Sequence, residues 1–553
     1  LIAGEVSLGL GVTAILTWAR PHVAAIASSR VLAMIAFAAT ALIALDVLND
    51  TLDRFYYVPN FRIWLPVSGA FIAAAFFFRT RYVEFTPLLS MSLRATAAGL
   101  LAVMVFARPD FTVANADWAS AADYVNNAYF WMLPCAVLAL FRPAFVIPVA
   151  LYLGSTRQLV YPISGFIMSD LDIRYMLDMG LFLALGGFAL VKLKPMWARV
   201  HPWMTSVDRQ GEIVGAAFGL HLANYFWSGI AKFAIGETPW HWITENQTYN
   251  QIPHTAESGI LPIAQWPWLT EFAYEAFKLT AIPLNAAIAL VQVFAIVCIL
   301  RIDWLKVTSL LFDCLHFGIY LLGGLFFWPW ILNNLTIWWA ARSAKAPLTL
   351  NTKVACIVAI LLGAPALKLN EAAWLAWWDV ADARQTYFVA VTEDGREVKA
   401  PSAFFLSHSY SVSHQHMAPQ AEPGHYEHTM LASARHIDRN DASGQCADPA
   451  SFPVRGEVET PDRRQARLDW TQRFLIAHHA KMQAREAAFG RNNFYFRSHH
   501  HPSNPFLYPQ FNALSVTEIV GYRMVIESAC YGLEDGHVTK RVLARTSEYF
   551  SVR

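Results

Sequence analysis

The chain has 553 residues, of which 56% are hydrophobic and only 15% charged, against about 45–50% and about 25% in an ordinary soluble domain. Together with a mean hydropathy of +0.33, this excludes a single water-soluble globule. The formal net charge of +1, from 42 basic and 41 acidic side chains, gives no general attraction to nucleic acid, which drops out as a partner.

The apolar runs stop near residue 368, so residues 1–368 read as a membrane domain and 369–553 as a polar domain rich in His, Arg, Asp and Pro. The sequence opens on Leu1, which leaves room for a preceding segment with a signal of its own. A bilayer core asks for about 20 mostly apolar residues per helix, fewer where a segment re-enters. In chain order the segments 28–46, 62–78, 86–106, 174–192, 211–234, 278–300, 307–326 and 352–368 meet that requirement, and 1–19, 129–141, 143–154 and 328–341 are shorter or more polar. The expected fold is therefore mainly α: a polytopic transmembrane helical bundle of about 8–12 spans or half-spans, followed by an extracytoplasmic domain.

Lys and Arg gather in short cytoplasmic loops. Here those loops are Arg79 to Arg81, Lys192 to Arg199, Arg301 to Lys306 and Arg342 to Lys353. Placing all four inside puts loops 47–61, 107–128, 154–172 and 235–277 outside, together with the C-terminal domain. The expected location is a bacterial inner membrane with that domain in the periplasm, or in the lumen if the source is eukaryotic. Loop 235–277 carries Trp240, Trp242, Trp266 and Trp268, expected as an aromatic belt along the outer interface, with a substrate-entry lip as the sharper alternative.

In the polar domain, Tyr387 to Val398 alternates around Asp394-Gly395, a hairpin signal, and 463–489 has helical spacing with Gly490 as a stop. The domain is thus expected to mix α and β. Cys135, Cys298, Cys314 and Cys356 lie in apolar segments as small hydrophobes. Cys446 and Cys530 either pair, if their side is oxidising, or stay as two thiols. Twelve of the 18 His lie beyond residue 368, including His408, His414, His416, His425, His428, His478, His479 and the run His499-His500-His501. No HExxH, CxxCH or zinc-finger spacing accompanies them, so solvated loop histidines are expected and metal binding is left open. No Gly-rich nucleotide fingerprint, Walker motif or nucleophile elbow is found.

Ionisable groups inside spans cost several kcal/mol unless paired or hydrated, which marks them as functional positions. In 211–234, His221, Asn224, Tyr225, Ser228 and Lys232 fall within a sector of about 100°. In 307–326, Asp313, His316 and Tyr320 form a second stripe. Singly, such groups hydrogen-bond helices together; Asp, His and Lys on two stripes point instead to an enclosed wet cavity, with Lys232 able to act as a base once desolvated. Arg174 and Asp178, four apart, are expected to pair with each other and to line the same cavity as an alternative.

The segment Tyr225-Phe226-Trp227-Ser228-Gly229-Ile230-Ala231-Lys232, with Trp240 and Trp242 after it, resembles the Tyr-Phe-x-x-Gly-x-x-Lys segment of the horizontally transferred transmembrane domain (HTTM) family, to which vitamin K-dependent γ-carboxylase belongs. Phe312-Asp313-Cys314-Leu315-His316-Phe317-Gly318-Ile319, running on to Gly323-Gly324-Leu325-Phe326-Phe327-Trp328-Pro329, is similar to the family's His-containing helix and the turn after it. The overlap covers about residues 205–345. The resemblance implies a reduced quinone, vitamin K-like, as cofactor, with Lys232 as its base and His316 as the family histidine, in a carboxylase-like or oxygenase-like lyase. The family's upstream Asn-His pair has no counterpart, since the nearest segment reads Asp172-Ile173-Arg174-Tyr175-Met176-Leu177-Asp178. The polar domain also has no match to the carboxylase's luminal domain.

The leading expectation is an HTTM-type enzyme acting on a membrane quinone or other lipid-soluble substrate through Lys232, with His316 and Asp313 orienting or relaying protons. Residues 369–553 would bind a protein substrate or complex subunits. The alternative is a non-catalytic accessory or scaffolding subunit of a larger membrane complex. Transport through the cavity ranks below both, because no inverted repeat is evident.

Overall fold

The computed structural model describes residues 30–56, 80–166, 171–192, 208–363, 377–429 and 446–553, apart from a few single positions. The expected span 1–19, almost all of 62–78, and His499 and His500 lie outside the described residues. The helices are α1 (Arg30–Tyr56), α2 (Pro87–Phe106), α3 (Ala119–Ala139), α4 (Val146–Ser164), α5 (Leu171–Lys192), α6 (Asp208–Phe233), α7 (Gln251–Glu257), α8 (Pro267–Leu279), α9 (Ala281–Val293), α10 (Ile302–Gly323), α11 (Trp328–Ser343), α12 (Leu350–Gly363) and α13 (Pro461–Phe489). The strands are β1 (Asp382–Thr392), β2 (Glu397–Lys399), β3 (Ile519–Glu534) and β4 (His537–Ser551).

The fold is mainly helical with a small C-terminal antiparallel sheet. Among the described residues, α2 and α10 are long and apolar enough to cross a membrane, and α8 with α9, bent by 76°, make a third if counted as one span. The remaining long helices carry polar residues, as α6 does at His221, Asn224 and Lys232, or are shorter.

Small residues decide how α6 packs. At Gly215 an added Cβ would stand 2.1 Å from the Thr352 carbonyl oxygen, and at Gly219 it would stand 2.5 Å from that of Cys356. Backbones of α6 and α12 therefore touch directly along one face. Gly229 meets α9 in the same manner, with Val293 N at 2.9 Å from the position of a Cβ. With these faces occupied by neighbours, the polar residues of α6 turn toward α10, α11 and the loop after α6.

The sheet order is β2-β1-β3-β4, antiparallel throughout. The β1–β2 hairpin turns at Asp394-Gly395 as its sequence predicts. The longer β3–β4 hairpin turns at Asp535-Gly536, where both residues take positive φ (51° and 73°), the geometry that Asp-Gly favours. Helix α13 starts at Thr460, whose hydroxyl accepts from Arg463 N, and stops at Gly490. Its Phe474, Leu475 and Met482 fill a core with Phe388, Tyr522 and Met524 of the sheet. A Cys446–Cys530 disulfide ties the segment before α13 to β3.

Among the described residues most histidines of the polar domain are not solvated, contrary to the compositional expectation; His537 is exposed, and His414 and His416 are half-buried. His408, His425, His428, His478, His479 and His501 are buried. His478 bonds Thr112 Oγ1 at 2.8 Å and the Phe404 carbonyl at 2.9 Å, His425 bonds Ser528 Oγ at 3.1 Å, and His428 bonds Asp382 at 3.0 Å. His425, His428 and His478 are interior polar links between segments distant in the chain.

The polar domain is gripped by the loops at one end of the helices. After α2, Asp110 pairs with Lys481 (2.5 Å) and Arg485 (2.8 Å) of α13. After α4, Phe166 enters the polar core, edge-on to Phe474 at 5.2 Å. After α6, the stretch around α7 is held by several bonds: Asn504 N donates to the Gly259 carbonyl (2.8 Å), Tyr508 to Ser258 (2.9 Å), and Gln385 to His254 (3.2 Å). At the opposite end, Lys192 pairs with Glu84 (2.6 Å), and Asn351 donates to Glu212 (2.6 Å).

Glu257 anchors that central grip, with Lys540 of β4 at 2.7 Å and Lys399 of β2 at 3.4 Å. Burial acts to raise its pKa, but the two ammonium groups outweigh burial and hold the carboxyl below its ordinary 4.5. A depressed carboxyl contributes stability that is present above its unfolded value and lost as pH falls through the folded one. Glu257→Ala is thus expected to cost about 1–3 kcal/mol near neutral pH. Thermal melts of wild type and variant should converge as pH drops below 4.5.

Candidate functional site

Lys232 sits in the last turn of α6 and is buried. Its amine donates to the Ser228 carbonyl at 3.3 Å and lies 4.9 Å from the centre of the Trp242 ring. Trp242 is therefore not part of an interfacial belt: it is buried beneath the lysine, and its indole N–H donates to the Trp377 carbonyl. Trp240 and Trp268, by contrast, are exposed as a belt requires.

Lys232 lines a cavity of about 260 Å³ whose other polar walls are Gln251, Gln292, Thr248 and Asp379. The rest of its surface is apolar, including Leu315, Ile319 and Leu322 of α10. Asp379 comes from the lead into β1. Its carboxylate accepts from Asn246 Nδ2 at 3.2 Å and from Gln251 Nε2, while its own N–H donates to Asn246 Oδ1 at 2.7 Å. Asn246 is in turn fixed by Thr248 (2.9 Å), and Thr248 by Asn285 of α9 (2.6 Å). This chain of amides and a hydroxyl holds a carboxyl on the wall of an otherwise oily chamber.

Burial drives the Asp379 carboxyl up to about 6, against the opposing pull of the Gln251 and Asn246 amides and of the Lys232 charge. A buried amine and a buried carboxyl thus face one small apolar space and feel each other's charge. Such a pair can hold one proton between them and pass it to or from a ligand hydroxyl.

The two sequence stripes do not enclose this cavity together. Of their residues, only Lys232 lies on its wall. His221, Tyr225 and Asp313 meet instead at Asn334 of α11, which none of the stripes contains. His221 Nε2 lies 2.8 Å from Asn334 Oδ1, Asn334 Nδ2 donates to Tyr225 OH at 2.8 Å, and it donates to Asp313 Oδ1 at 2.9 Å. Tyr225 stacks on Phe312 at 3.6 Å, and the His316 ring lies 5.7 Å from it. Among the described residues His221 Nδ1, His316 Nδ1 and Asp313 Oδ2 have no hydrogen-bond partner, so this polar knot is open to further polar atoms.

The remaining candidates take structural places. Asn224 donates to the carbonyls of its own helix at Leu220 and His221. Ser228 contributes its carbonyl to Lys232. Tyr320 packs on Phe326 at 4.7 Å, away from both polar groups. Arg174 and Asp178 pair at 3.8 Å on α5, as expected, and neither is on the cavity wall. Among the described residues no group of three or more His, Cys, Asp or Glu is placed to hold a metal ion.

Asp379, Asn246 and Gln251 escaped the sequence reading because they lie outside the apolar runs. A signal was present nonetheless: an acid directly after Trp377-Trp378, in an aromatic stretch following the last apolar helix. Because the folded-state value of Asp379 lies above its ordinary 3.8, ionisation opposes folding. Its contribution is full below pH about 4, is lost as pH rises toward about 6, and is constant above that. Asp379→Asn is expected to flatten the dependence of the melting temperature on pH across that interval relative to wild type; superimposable profiles would show that the carboxyl is not held in this environment.

No family model, no curated protein and no solved structure matches the chain.

Proposed function

We propose that the chain is a polytopic membrane protein of the HTTM type, with about 8–12 spans or half-spans, that binds a lipid-soluble hydroxylated substrate beside Lys232 and acts on it by proton transfer. A reduced quinone is the leading candidate. The observation that carries this reading is the buried Lys232 amine on the wall of a mainly apolar 260 Å³ cavity. The cavity walls suit a hydroquinone: an oily surface for the ring, an amine and two side-chain amides for its hydroxyls. A neutral Lys232 takes the hydroxyl proton and becomes an ammonium, and the ionised Asp379 stabilises that charge across the cavity. The same two groups returning the proton would reset the site.

The knot around Asn334 is then an accessory polar group about two to three turns along α6 from Lys232, with Asp313 and His316 positioning Tyr225. The polar domain lies outside the cytoplasm. Two features support that side: the Cys446–Cys530 disulfide, which persists in oxidising compartments, and the grip on the domain by loops that the basic-residue rule puts outside. A bacterial periplasm is the favoured setting.

A second reading, an accessory subunit that keeps the architecture without the chemistry, draws on Phe489, Phe496 and Phe506, large apolar side chains exposed on the polar domain and suited to a protein partner. Lys232→Met separates the two. Under the enzyme reading the variant keeps its melting behaviour in detergent but loses co-purifying quinone, seen by mass spectrometry of extracted lipids, and at least about 100-fold in turnover. An unchanged lipid content and phenotype in Lys232→Met, with loss of a complex on deleting residues 377–553, would establish the accessory reading instead.

A further inference from the structure

The cavity beside Lys232 is small for the ligands the proposed function invokes. About 260 Å³ exceeds a benzene-sized cavity of about 150 Å³ but falls below the roughly 300–1,000 Å³ of pockets that enclose a whole drug-sized ligand. One substituted ring fits; a ring with a long hydrocarbon chain does not. Any chain-bearing ligand must therefore leave its chain outside, and the walls show where.

One wall is a stripe on α10 made of Cys314, Leu315, Gly318, Ile319 and Leu322. Cys314 lines the cavity and yet is exposed, so the wall is breached at that turn. One turn further on, an added Cβ at Gly318 would meet no atom of the described residues within 4 Å. The facing wall is the bent pair, with Phe277 on α8 and Leu284 and Ile288 on α9. At its elbow Leu279 and Ile282 are exposed. Exposed Leu311, Phe317 and Leu321 flank the breach on α10, and only 28% of the apolar window of α10 is buried, against 50% for α2. The breach thus opens onto an apolar outer surface of a helix suited to cross a membrane.

We propose that the cavity is a head-group pocket with a side opening between α9 and α10, at Cys314 and Gly318, through which a chain-bearing lipid-soluble ligand enters from the bilayer and leaves its hydrocarbon tail there. This rests on the membrane placement of α10 and on a lipid-soluble ligand at Lys232. The tail needs no pocket of its own, because hydrocarbon surrounded by lipid is already in an apolar medium. The glycine at 318 leaves the opening free of side chain, and the ring end reaches Lys232 and Asp379 inside.

The native thiols provide the test. Cys135, Cys298 and Cys356 are buried and Cys446 is bonded to Cys530, which leaves Cys314 as the exposed free thiol. In liposomes, a lipid-partitioning alkyl maleimide is expected to label wild type and not Cys314→Ser, while a membrane-impermeant charged maleimide labels neither. Gly318→Trp, which has space to be accommodated, is expected to slow that labelling about tenfold and to weaken binding of a prenylated naphthoquinone by a similar factor, about 1.4 kcal/mol, while the same ring without its tail binds as in wild type. Labelling by the charged reagent at least as fast as by the alkyl one overturns the proposal, since the opening would then face water. So does Gly318→Trp that leaves both the labelling and the prenylated ligand unaffected. If neither naphthoquinone binds wild type, the quinone reading fails, and the labelling pattern by itself decides the side opening.

Discussion

The site depends on a reciprocal clamp between Asn246 and Asp379. The Asn246 side chain accepts from the Asp379 N–H and donates to its carboxylate, and the Gln247 N–H donates to the Asp379 carbonyl at 3.0 Å. An amide is suited to this because it offers a donor and an acceptor side by side. The clamp joins two stretches 133 residues apart. One is the loop after α6 and the other leads into the first strand of the polar domain. Without it, Asp379 would have no reason to stand in an apolar chamber, and the polar domain would contribute nothing to the place where Lys232 lies.

From that clamp the rest follows in layers. Glycines on α6 let α12 and α9 approach its backbone, which leaves the polar side of α6 for α10, α11 and the loop beyond Trp240. Buried polar groups need partners, since each one left unmade costs about 1–3 kcal/mol, and the helices resolve this at two separate places. Asn334 gathers His221, Tyr225 and Asp313 into one knot, and Asn246 with Gln251 gathers Asp379 opposite Lys232. A helical wheel merges these two groups because it shows direction around the axis and conceals height along it. His221 and Lys232 share a face but are about three turns apart, enough for one to lie in the knot and the other in the cavity.

The histidines of the polar domain illustrate a related point. Their number and the lack of a metal motif read as exposed loop residues. Several instead bridge buried segments, as His478 does between Thr112 of the loop after α2 and Phe404 of the polar domain. Imidazole can donate at one nitrogen and accept at the other, which makes it an efficient interior link where strands, helix α13 and the loops of the helical domain converge. Composition records how many such rings there are and carries no information about which segments they connect.

Local sequence determined much of the local structure. Apolar runs marked most of the helices, Asp394-Gly395 marked a hairpin, and Gly490 marked the end of α13, because each depends on periodicity or on backbone freedom within a few residues. The same Asp-Gly signal stands at the β3–β4 turn, Asp535-Gly536. The basic loops separated one end of the helices from the other, and the loops at the second end are the ones that hold the polar domain. Lys232 stood out as a charge in an apolar run. What only the tertiary structure decided is its company: Asp379 rather than Asp313, Trp242 beneath it, and a breach at Cys314 and Gly318. Those neighbours come from segments distant in the chain, and their meeting is fixed by helix packing and the Asn246 clamp, neither of which has a local sequence pattern.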